Sequence, residues 1–317
     1  MRARALGLLA AFVLALAARP APGRSQEAPA STFAGGAVAL ADIEAALERA
    51  PIDNLRAVGT SSVTLQAQLA GPIDGAFKPE TEGQRRGWMN EVAAYRIARA
   101  LGLDSVPPVA VRSVPRSELV SRLDPAYEGD WDRMLVRLVF AGGAVRGSLS
   151  YWVPNLLRTS ELEGAGMDVW SAWLAAHGAV PEGSEALARD LSDMVVFDLV
   201  IGNADRASGD NMRTVETSAR RLVIRDHNLA FAARPDGEAL DRMLSMLRRV
   251  QRFRRGLVLR LAALDAETVR RITRDEEVGP LLEEAQIAAL LSRRDTALSW
   301  IGSLVEEHGE EAVLGLD

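Results

Sequence analysis

The hydrophobic pattern changes its period part-way along the chain, and this change constrains the fold more than any other feature. Between residues 58 and 153, apolar and polar residues alternate in short runs divided by glycine and proline turns, which predicts strands. The exception is residues 86–101, where Trp88, Val92 and Tyr95 recur at helical spacing. Beyond residue 153 the apolar residues recur mainly at helical spacing. We therefore expect an α+β chain whose β-rich N-terminal part carries one packed helix, followed by a mainly helical C-terminal part.

The individual elements follow from the same pattern. Further β-rich segments are predicted at 106–114 and 134–140, and helices at 167–177, 184–201, 237–273 and 279–308. A polar loop, residues 202–211, leads into a hairpin whose second strand ends just before Asp226. We place the boundary between the two parts at residue 153, which gives an N-terminal lobe of residues 37–153 and a C-terminal lobe of residues 154–317.

The N-terminus has the features of an export signal. Arg2 and Arg4 precede an uninterrupted apolar run over residues 5–18, which is too short to span a bilayer core of about 20 helical residues. We interpret residues 1–18 as a cleavable signal peptide and the Pro-, Ala- and Ser-rich residues 19–36 as a flexible linker. The sequence therefore predicts a secreted or periplasmic protein with no stable membrane insertion. A buried N-terminal helix is the alternative.

Composition excludes several functional classes. The net charge of −6 argues against nucleic acid as a main partner, because phosphate binding requires a basic surface. The absence of cysteine excludes disulfides, thiolate nucleophiles and cysteine zinc sites. Three scattered histidines offer no clear Ser/His/Asp set, and neither Gly-x-Ser-x-Gly nor His-Glu-x-x-His is present, so a hydrolase finds little support.

Lysine occurs once among the 37 basic residues, at Lys78. A compact ammonium at this position suggests a role that a guanidinium cannot fill. Thirteen residues later Glu91 lies on the predicted helix among Ala94, Tyr95 and Ala98. A carboxylate among apolar neighbours needs a partner, and we expect Lys78 to be that partner. The alternative is that both side chains are solvated.

Acidic and amide side chains are concentrated in the polar loop that follows the helix at 184–201. Residues 198–211 hold three aspartates and two asparagines: Asp198, Asn203, Asp205, Asp210 and Asn211. Asp205 is the candidate catalytic base, and either Asp210 or Asn211 is a candidate metal ligand, since hard cations take oxygen ligands. Asp226, just past an apolar strand, would complete the metal site. The alternative is a capped polar turn in which Asp205 pairs with Arg206 or a helix end.

These pieces, in this order, resemble a group of atypical kinases. The pieces are Phe77-Lys78-Pro79, Glu91 followed by Ala93-Ala94-Tyr95, Gly202-Asn203-Ala204-Asp205-Arg206, and Asp226 through Ala230-Phe231. The group includes secretory-pathway kinases of the Golgi casein-kinase type, HipA-type kinases and phosphatidylinositol 3-/4-kinases. The resemblance covers roughly residues 58–231 and implies a two-lobed protein-kinase-like fold.

The resemblance also implies a role for each charged residue. Lys78 would contact nucleotide phosphates and Glu91 would pair with it, Asp205 would be the catalytic aspartate, and Asp226 would bind the metal. Three departures from the group's pattern concern the surrounding residues. Ala207 follows Asp-Arg where relatives often have histidine, and the asparagine expected five residues after the aspartate is Asp210, with Asn211 one residue later.

The third departure concerns the glycine-rich loop that such kinases place over the nucleotide. Residues 59–62 occupy the expected position, with Gly59, Ser61 and Ser62 as candidate nucleotide-binding residues. Together these features predict a phosphotransferase that moves the γ-phosphate of ATP to a hydroxyl with Mg²⁺ or Mn²⁺. A protein acceptor is preferred by analogy with the exported kinases, and a small-molecule hydroxyl stays open. The alternatives are a pseudokinase that binds nucleotide without turnover and an AMP-transferring variant.

Overall fold

The computed structural model describes residues 32–58, 62–159, 162–207, 211–234 and 236–316. The predicted signal peptide, residues 1–18, and most of the predicted linker lie outside these residues. So do three candidate site residues, Gly59, Ser61 and Asp210.

An antiparallel sheet of six strands forms the N-terminal part. The strands are β1 (Ile52–Ala57), β2 (Leu65–Leu69), β3 (Asp74–Pro79), β4 (Val109–Pro115), β5 (Phe140–Ala141) and β6 (Ala144–Tyr151). They lie in the order β1-β2-β3-β6-β4, with β5 added to β6. Leu65, Phe77 and Leu149 stand directly opposite one another on three neighbouring strands and are fully buried. This cross-strand row fixes the register, because a slip of one residue would turn all three side chains to the other face.

Four helices accompany the sheet. They are α1 (Leu40–Arg49), α2 (Gly87–Ala100), α3 (Arg116–Arg122) and α4 (Glu128–Leu135). Helix α2 confirms the helix predicted at 86–101 and packs against β3, β4 and β6. Its other faces are also buried, because Trp88, Val92 and Ile97 join the apolar core of the C-terminal helices. The helix therefore belongs to the contact between the sheet and the helical part.

The β-rich segment predicted at 134–140 is wrong over most of its length. Met134 and Leu135 end helix α4, and only Phe140 enters a strand. Trp131 and Met134 are three residues apart, so on a helix both reach the N-terminal core, where they are buried. Strand β1 was not predicted.

The C-terminal part is mainly helical. Its helices are α5 (Gly166–Trp173), α6 (Glu185–Ile201), α7 (Gly237–Arg248), α8 (Arg255–Ala263), α9 (Ala266–Ile272), α10 (Glu284–His308) and α11 (Glu310–Leu314). Helix α6 is the central element and packs against α7 and α10. The single helix predicted at 237–273 is three helices, and Asp265 caps the last of them by accepting a hydrogen bond from the backbone N–H of Thr268 at 2.8 Å.

Two small ladders complete the fold. Strands β7 (Leu157–Arg158), β8 (Arg213–Glu216) and β9 (Arg220–Val223) form one, and β10 (Arg274–Asp275) pairs with β11 (Gly279–Pro280) in the other. The predicted hairpin before Asp226 is therefore β8–β9, in which Arg213 lies opposite Val223. The described helices include none with the length and apolarity needed to cross a bilayer. The lobe boundary at residue 153 stays a prediction.

Candidate active site

A cleft of about 800 Å³ lies between the N-terminal sheet and the β8–β9 hairpin. The charged and amide residues that line it are Lys78, Glu91, Asn155, Asn211, Arg213, Arg225 and Asp226. Ser62, the one residue of the predicted nucleotide loop that the structure describes, also lines this cleft. Apolar side chains cover much of the remaining wall, among them Val58, Ala76 and Val153. The cleft thus joins an apolar wall to a set of charges, as a nucleotide site requires.

Lys78 lies at the end of β3 and bridges two carboxylates. Its ammonium contacts Glu91 Oε1 and donates to Asp226 Oδ1 at 2.7 Å, and its side chain is 17% exposed. Burial lowers the pKa of Lys78, but Glu91 and Asp226 together outweigh this effect and raise it above its usual value. The ammonium is therefore charged at neutral pH.

Helix α2 holds the segment after β9 in place. Glu91 accepts a hydrogen bond from the backbone N–H of His227 at 3.1 Å through its second oxygen. The preceding residue, Asn90, donates to the carbonyl oxygens of Asn228 and Ala230, both at 2.9 Å. Glu91 therefore orients Lys78 and fixes the backbone beside Asp226 at the same time.

Asp226 adopts a left-handed backbone conformation with φ of 69°. Such a conformation is uncommon for a residue other than glycine and is found at functional sites. Burial raises the pKa of Asp226, but the ammonium of Lys78 outweighs it and the pKa is lowered below the usual range. The carboxylate is thus ionised at neutral pH, and its side chain is 34% exposed towards the cleft.

The loop with Asp205 begins where helix α6 ends. Gly202 closes the helix in the left-handed region with φ of 73°, and the N–H of Asn203 bonds to the Asp198 carbonyl at 2.8 Å. A Cβ at position 202 would lie 2.8 Å from Cζ of Arg293, so only glycine fits without displacing that guanidinium. The chain then enters a short 3₁₀ turn, Ala204–Ala207, which carries Asp205.

A buried ion pair that was not predicted from the sequence fixes this loop. Arg206 donates to both oxygens of Asp198, at 2.8 and 3.0 Å. The same guanidinium donates to the carbonyl oxygens of Arg225 at 2.6 Å and Asn211 at 3.2 Å. Arg206 therefore ties the loop to the two segments that flank the cleft floor. A signal was available, because Asp198 lies on a helix with mainly apolar neighbours and needs a partner for the same reason as Glu91.

Asp205 and Asn211 lie in direct contact. The Asn211 amide donates to the Asp205 backbone carbonyl at 3.0 Å and to Asp205 Oδ2 at 3.3 Å. Asn203 links this pair to Asp226, because its side-chain oxygen accepts from the N–H of Asp205 at 3.3 Å and its amide donates to the Asp226 carbonyl at 3.2 Å. The structure thus brings Lys78, Glu91 and Asp226 into one contact group and Asp205 and Asn211 into a second, joined through Asn203.

The donors available for a metal ion are all oxygens. Asp226 and Asn211 line the cleft and offer a carboxylate and an amide. Among the described residues there is no group of three or more His, Asp or Glu side chains that could hold a metal by themselves. This donor set fits Mg²⁺ or Mn²⁺ shared with phosphate oxygens, because such ions keep several ligands from water or substrate in nucleotide sites. It does not fit a site built wholly from protein ligands.

His227 is buried beside the site and neutral. Burial and the nearby guanidinium of Arg206 lower the pKa of His227 to about 4. The imidazole packs edge-on against Phe197 with ring centroids 5.5 Å apart, and its Nε2 lies 3.1 Å from the Ile224 carbonyl oxygen. Protonation would place a second cation beside Arg206 in a dry environment.

The stability of the protein is expected to fall as the pH is lowered from about 6.5 towards 4, because the unfolded chain, with a histidine pKa near 6.5, takes up the proton first. The His227 contribution to this loss is about 2 kcal/mol at pH 5. Urea unfolding in chelator at pH 7, 6 and 5 measures it, with the His227→Gln variant as the control. Equal pH slopes in the two proteins would contradict the assignment.

Comparisons with known proteins identify a matching family and solved structures with a similar fold. The family described as Golgi casein kinase, C-terminal, Fam20 matches residues 180–313. The solved structure of the Golgi casein kinase has 16% identity and a TM-score of 0.64, covering 86% of this chain and 78% of that one. The structure of hydra Fam20 with sugar has 19% identity and a TM-score of 0.66, covering 89% of this chain and 95% of that one. No curated protein matches the sequence significantly.

These matches confirm two of the sequence predictions. The resemblance to atypical kinases of the Golgi casein-kinase type is confirmed, and so is the α+β, kinase-like fold class. The family match also supports the prediction that the chain is an atypical kinase, and it includes the segment that carries Asp205 and Asp226. The roles of the individual site residues stay predictions.

Proposed function

We propose that this protein is a metal-dependent phosphotransferase that moves the γ-phosphate of ATP to a hydroxyl group. The observation that carries the proposal is the bridge from Lys78 to Glu91 and Asp226 at the wall of the cleft. Phosphoryl transfer needs little covalent chemistry from the protein and depends on positioning and charge neutralisation. A single buried ammonium held between two carboxylates is suited to that task, because its position is fixed before the substrate arrives.

Each charged residue has a distinct part in this proposal. Lys78 neutralises phosphate oxygens, and Glu91 holds it in place. Asp205 accepts the proton of the attacking hydroxyl or orients that hydroxyl. Asn211 fixes the Asp205 carboxylate through the hydrogen bond from its amide. The ion pair of Asp198 with Arg206, and the bond from Arg206 to the Arg225 carbonyl, connect the turn at residues 204–207 to the segment that carries Asp226.

Asp226 and Asn211 are the residues that would hold the divalent cation, and Asp210 is a further candidate outside the described residues. The cation would neutralise charge on the phosphate oxygens of the nucleotide. The similar Golgi casein kinase has been solved with Mn/ADP bound, which supports manganese and an adenine nucleotide for this chain as well. Gly59, Ser61 and Ser62 stay candidates for contacts with the nucleotide, and of the three Ser62 lines the cleft.

The acceptor is proposed to be a hydroxyl on a protein, and the enzyme is proposed to work after export. The support is the similarity to the Golgi casein kinase together with the predicted signal peptide at residues 1–18. In this proposal the acceptor hydroxyl lies beside Asp205.

The test follows label from γ-labelled ATP with the purified protein in Mg²⁺, Mn²⁺ or chelator. Label should enter the protein itself or an added casein acceptor with either metal and be absent in chelator. Parallel reactions with α-labelled ATP detect AMP transfer. Label from the α-phosphate would identify the AMP-transferring variant. Nucleotide binding without transfer of either label would identify a pseudokinase, and both results would overturn the proposed activity.

A further inference from the structure

The guanidinium of one arginine that lines the cleft, Arg225, has no role in the proposal above. Arg225 lies between the end of β9 and Asp226, and it lines the cleft. Its Nε is enclosed by protein and meets no hydrogen-bond partner among the residues that the structure describes. A buried guanidinium donor without a partner is costly, so this one calls for an explanation.

Two other buried arginines of the C-terminal part, Arg206 and Arg221, have carboxylate partners within the chain, whereas buried Arg293 also keeps a nitrogen, Nη2, without a partner among the described residues. Arg206 is bonded to both oxygens of Asp198, and Arg221 is bonded to both oxygens of Asp190. Arg225 contributes its backbone carbonyl to Arg206, while its guanidinium lies at the cleft. Since the enclosed Nε cannot be reached from solvent, an external partner of Arg225 would have to approach the rest of its guanidinium from the cleft that the residue lines.

The hairpin register places Arg225 beside a candidate metal ligand. Arg213 lies opposite Val223, and continuing this antiparallel register by two residues sets Asn211 opposite Arg225. The guanidinium of Arg206 agrees with this, because it bonds to the carbonyl oxygens of both residues. Asn211, Arg225 and Asp226 all line the cleft. The position proposed for the metal ion and Arg225 are therefore on the same cleft.

The charges of the cleft favour an anion at this point. Lys78, Arg213 and Arg225 line it against two carboxylates, Glu91 and Asp226, and both carboxylates are already bonded to Lys78. A guanidinium also presents a planar fork of donors that matches phosphate oxygens. A neutral base edge would satisfy these donors without compensating the charge.

We propose that Arg225 binds a phosphate group of the nucleotide, as a second fixed cation beside Lys78. This assignment rests on the proposed nucleotide site and adds a residue that the sequence motifs did not indicate. Because the charge of Arg225 is permanent, its contribution to nucleotide affinity does not require a divalent cation.

The test measures nucleotide affinity directly by calorimetry, using β,γ-imido-ATP and adenosine as probes, in Mg²⁺ and in chelator. Arg225→Leu should weaken binding of the imido-ATP by about 10- to 100-fold in both conditions and leave adenosine binding within twofold. Arg225→Lys should recover part of the loss. Arg49→Leu, at an exposed position on α1, is the matched control and should bind as the wild type does. Thermal midpoints establish that each variant is folded.

The outcomes separate this assignment from the proposed function. If the wild type binds the imido-ATP and Arg225→Leu binds it equally well, the assignment of Arg225 is overturned while the nucleotide site stands. An equal loss of adenosine binding would also overturn it, because the contact would then not be with phosphate. A wild-type protein that binds neither probe would overturn the nucleotide site and this assignment together.

Discussion

Replacement of Asp205 by asparagine is expected to reduce the rate of phosphoryl transfer by about 10²- to 10⁴-fold, the range that a positioned general base contributes. Asparagine keeps the size of the side chain and its contact with the Asn211 amide, but it cannot accept the proton of the acceptor hydroxyl. Nucleotide affinity should change less than twofold, since the proposed phosphate contacts come from Lys78 and Arg225. Single-turnover rates and calorimetric binding, measured on the same preparation, separate the two effects.

Asp168→Asn is the matched control for this substitution. Asp168 is 79% exposed on helix α5 and pairs with the partly exposed Arg249, so its loss should leave the transfer rate unchanged. An Asp205→Asn variant that transfers phosphate at the wild-type rate would remove Asp205 from the reaction. The next candidate for the catalytic base would then be Asp210, which is five residues later in the sequence.

The contact of Lys78 with Glu91 could be predicted from the sequence for one physical reason. Lys78 was conspicuous as the single lysine, and Glu91 as a carboxylate on an otherwise apolar helix. Neither signal depends on knowing the fold, because a buried charge needs a partner in any fold. The contact of Lys78 with Asp226 was harder to predict, because the two residues are 148 positions apart in the sequence and only the folded chain brings them together.

The residues that escaped prediction are those whose partners are set by long-range packing. Asn90 and Asn203 look like ordinary polar residues in the sequence, yet their amides bond to backbone carbonyls of the segment that follows β9. Arg225 is one of 36 arginines, and nothing in the sequence separates it from the exposed ones. The strand predicted across Met134 failed because local apolar spacing did not distinguish a short helix from a strand.

A second set of buried charges joins segments of the N-terminal and C-terminal parts away from the cleft. Arg221 on β9 donates to Asp190 on α6 at 2.7 and 2.8 Å and to Asp104, in the loop after α2, at 2.6 and 3.2 Å. The backbone N–H of Leu222 also bonds to Asp190, at 3.0 Å. One guanidinium thus joins the three segments that lead to Glu91, Asp205 and Asp226.

Arg221→Leu is therefore expected to lower the free energy of unfolding by about 3–5 kcal/mol, because it leaves the fully buried Asp190 without its counter-ion. Burial raises the pKa of Asp190 to about 6 even with Arg221 opposing that rise, so in the variant this carboxyl should be protonated at neutral pH. Urea unfolding measures the loss, and Arg270→Leu, which breaks an exposed pair with Glu284, is the control and should leave the free energy of unfolding nearly unchanged.

A double variant decides whether the effect comes from the uncompensated charge or from packing. If Asp190 is the reason, Arg221→Leu combined with Asp190→Leu should be more stable than Arg221→Leu alone, since no buried carboxyl remains that must be protonated or left without its partner. If the losses in free energy of unfolding from the two single substitutions simply add in the double variant, the loss in Arg221→Leu comes from the packing of the arginine side chain. If the loss comes from the uncompensated Asp190, Arg221→Leu should also weaken binding of the imido-ATP, because Glu91 and Asp226 are then no longer held in their relative positions. If the loss comes from packing, binding of the imido-ATP should fall only in proportion to the fraction of the protein that is folded.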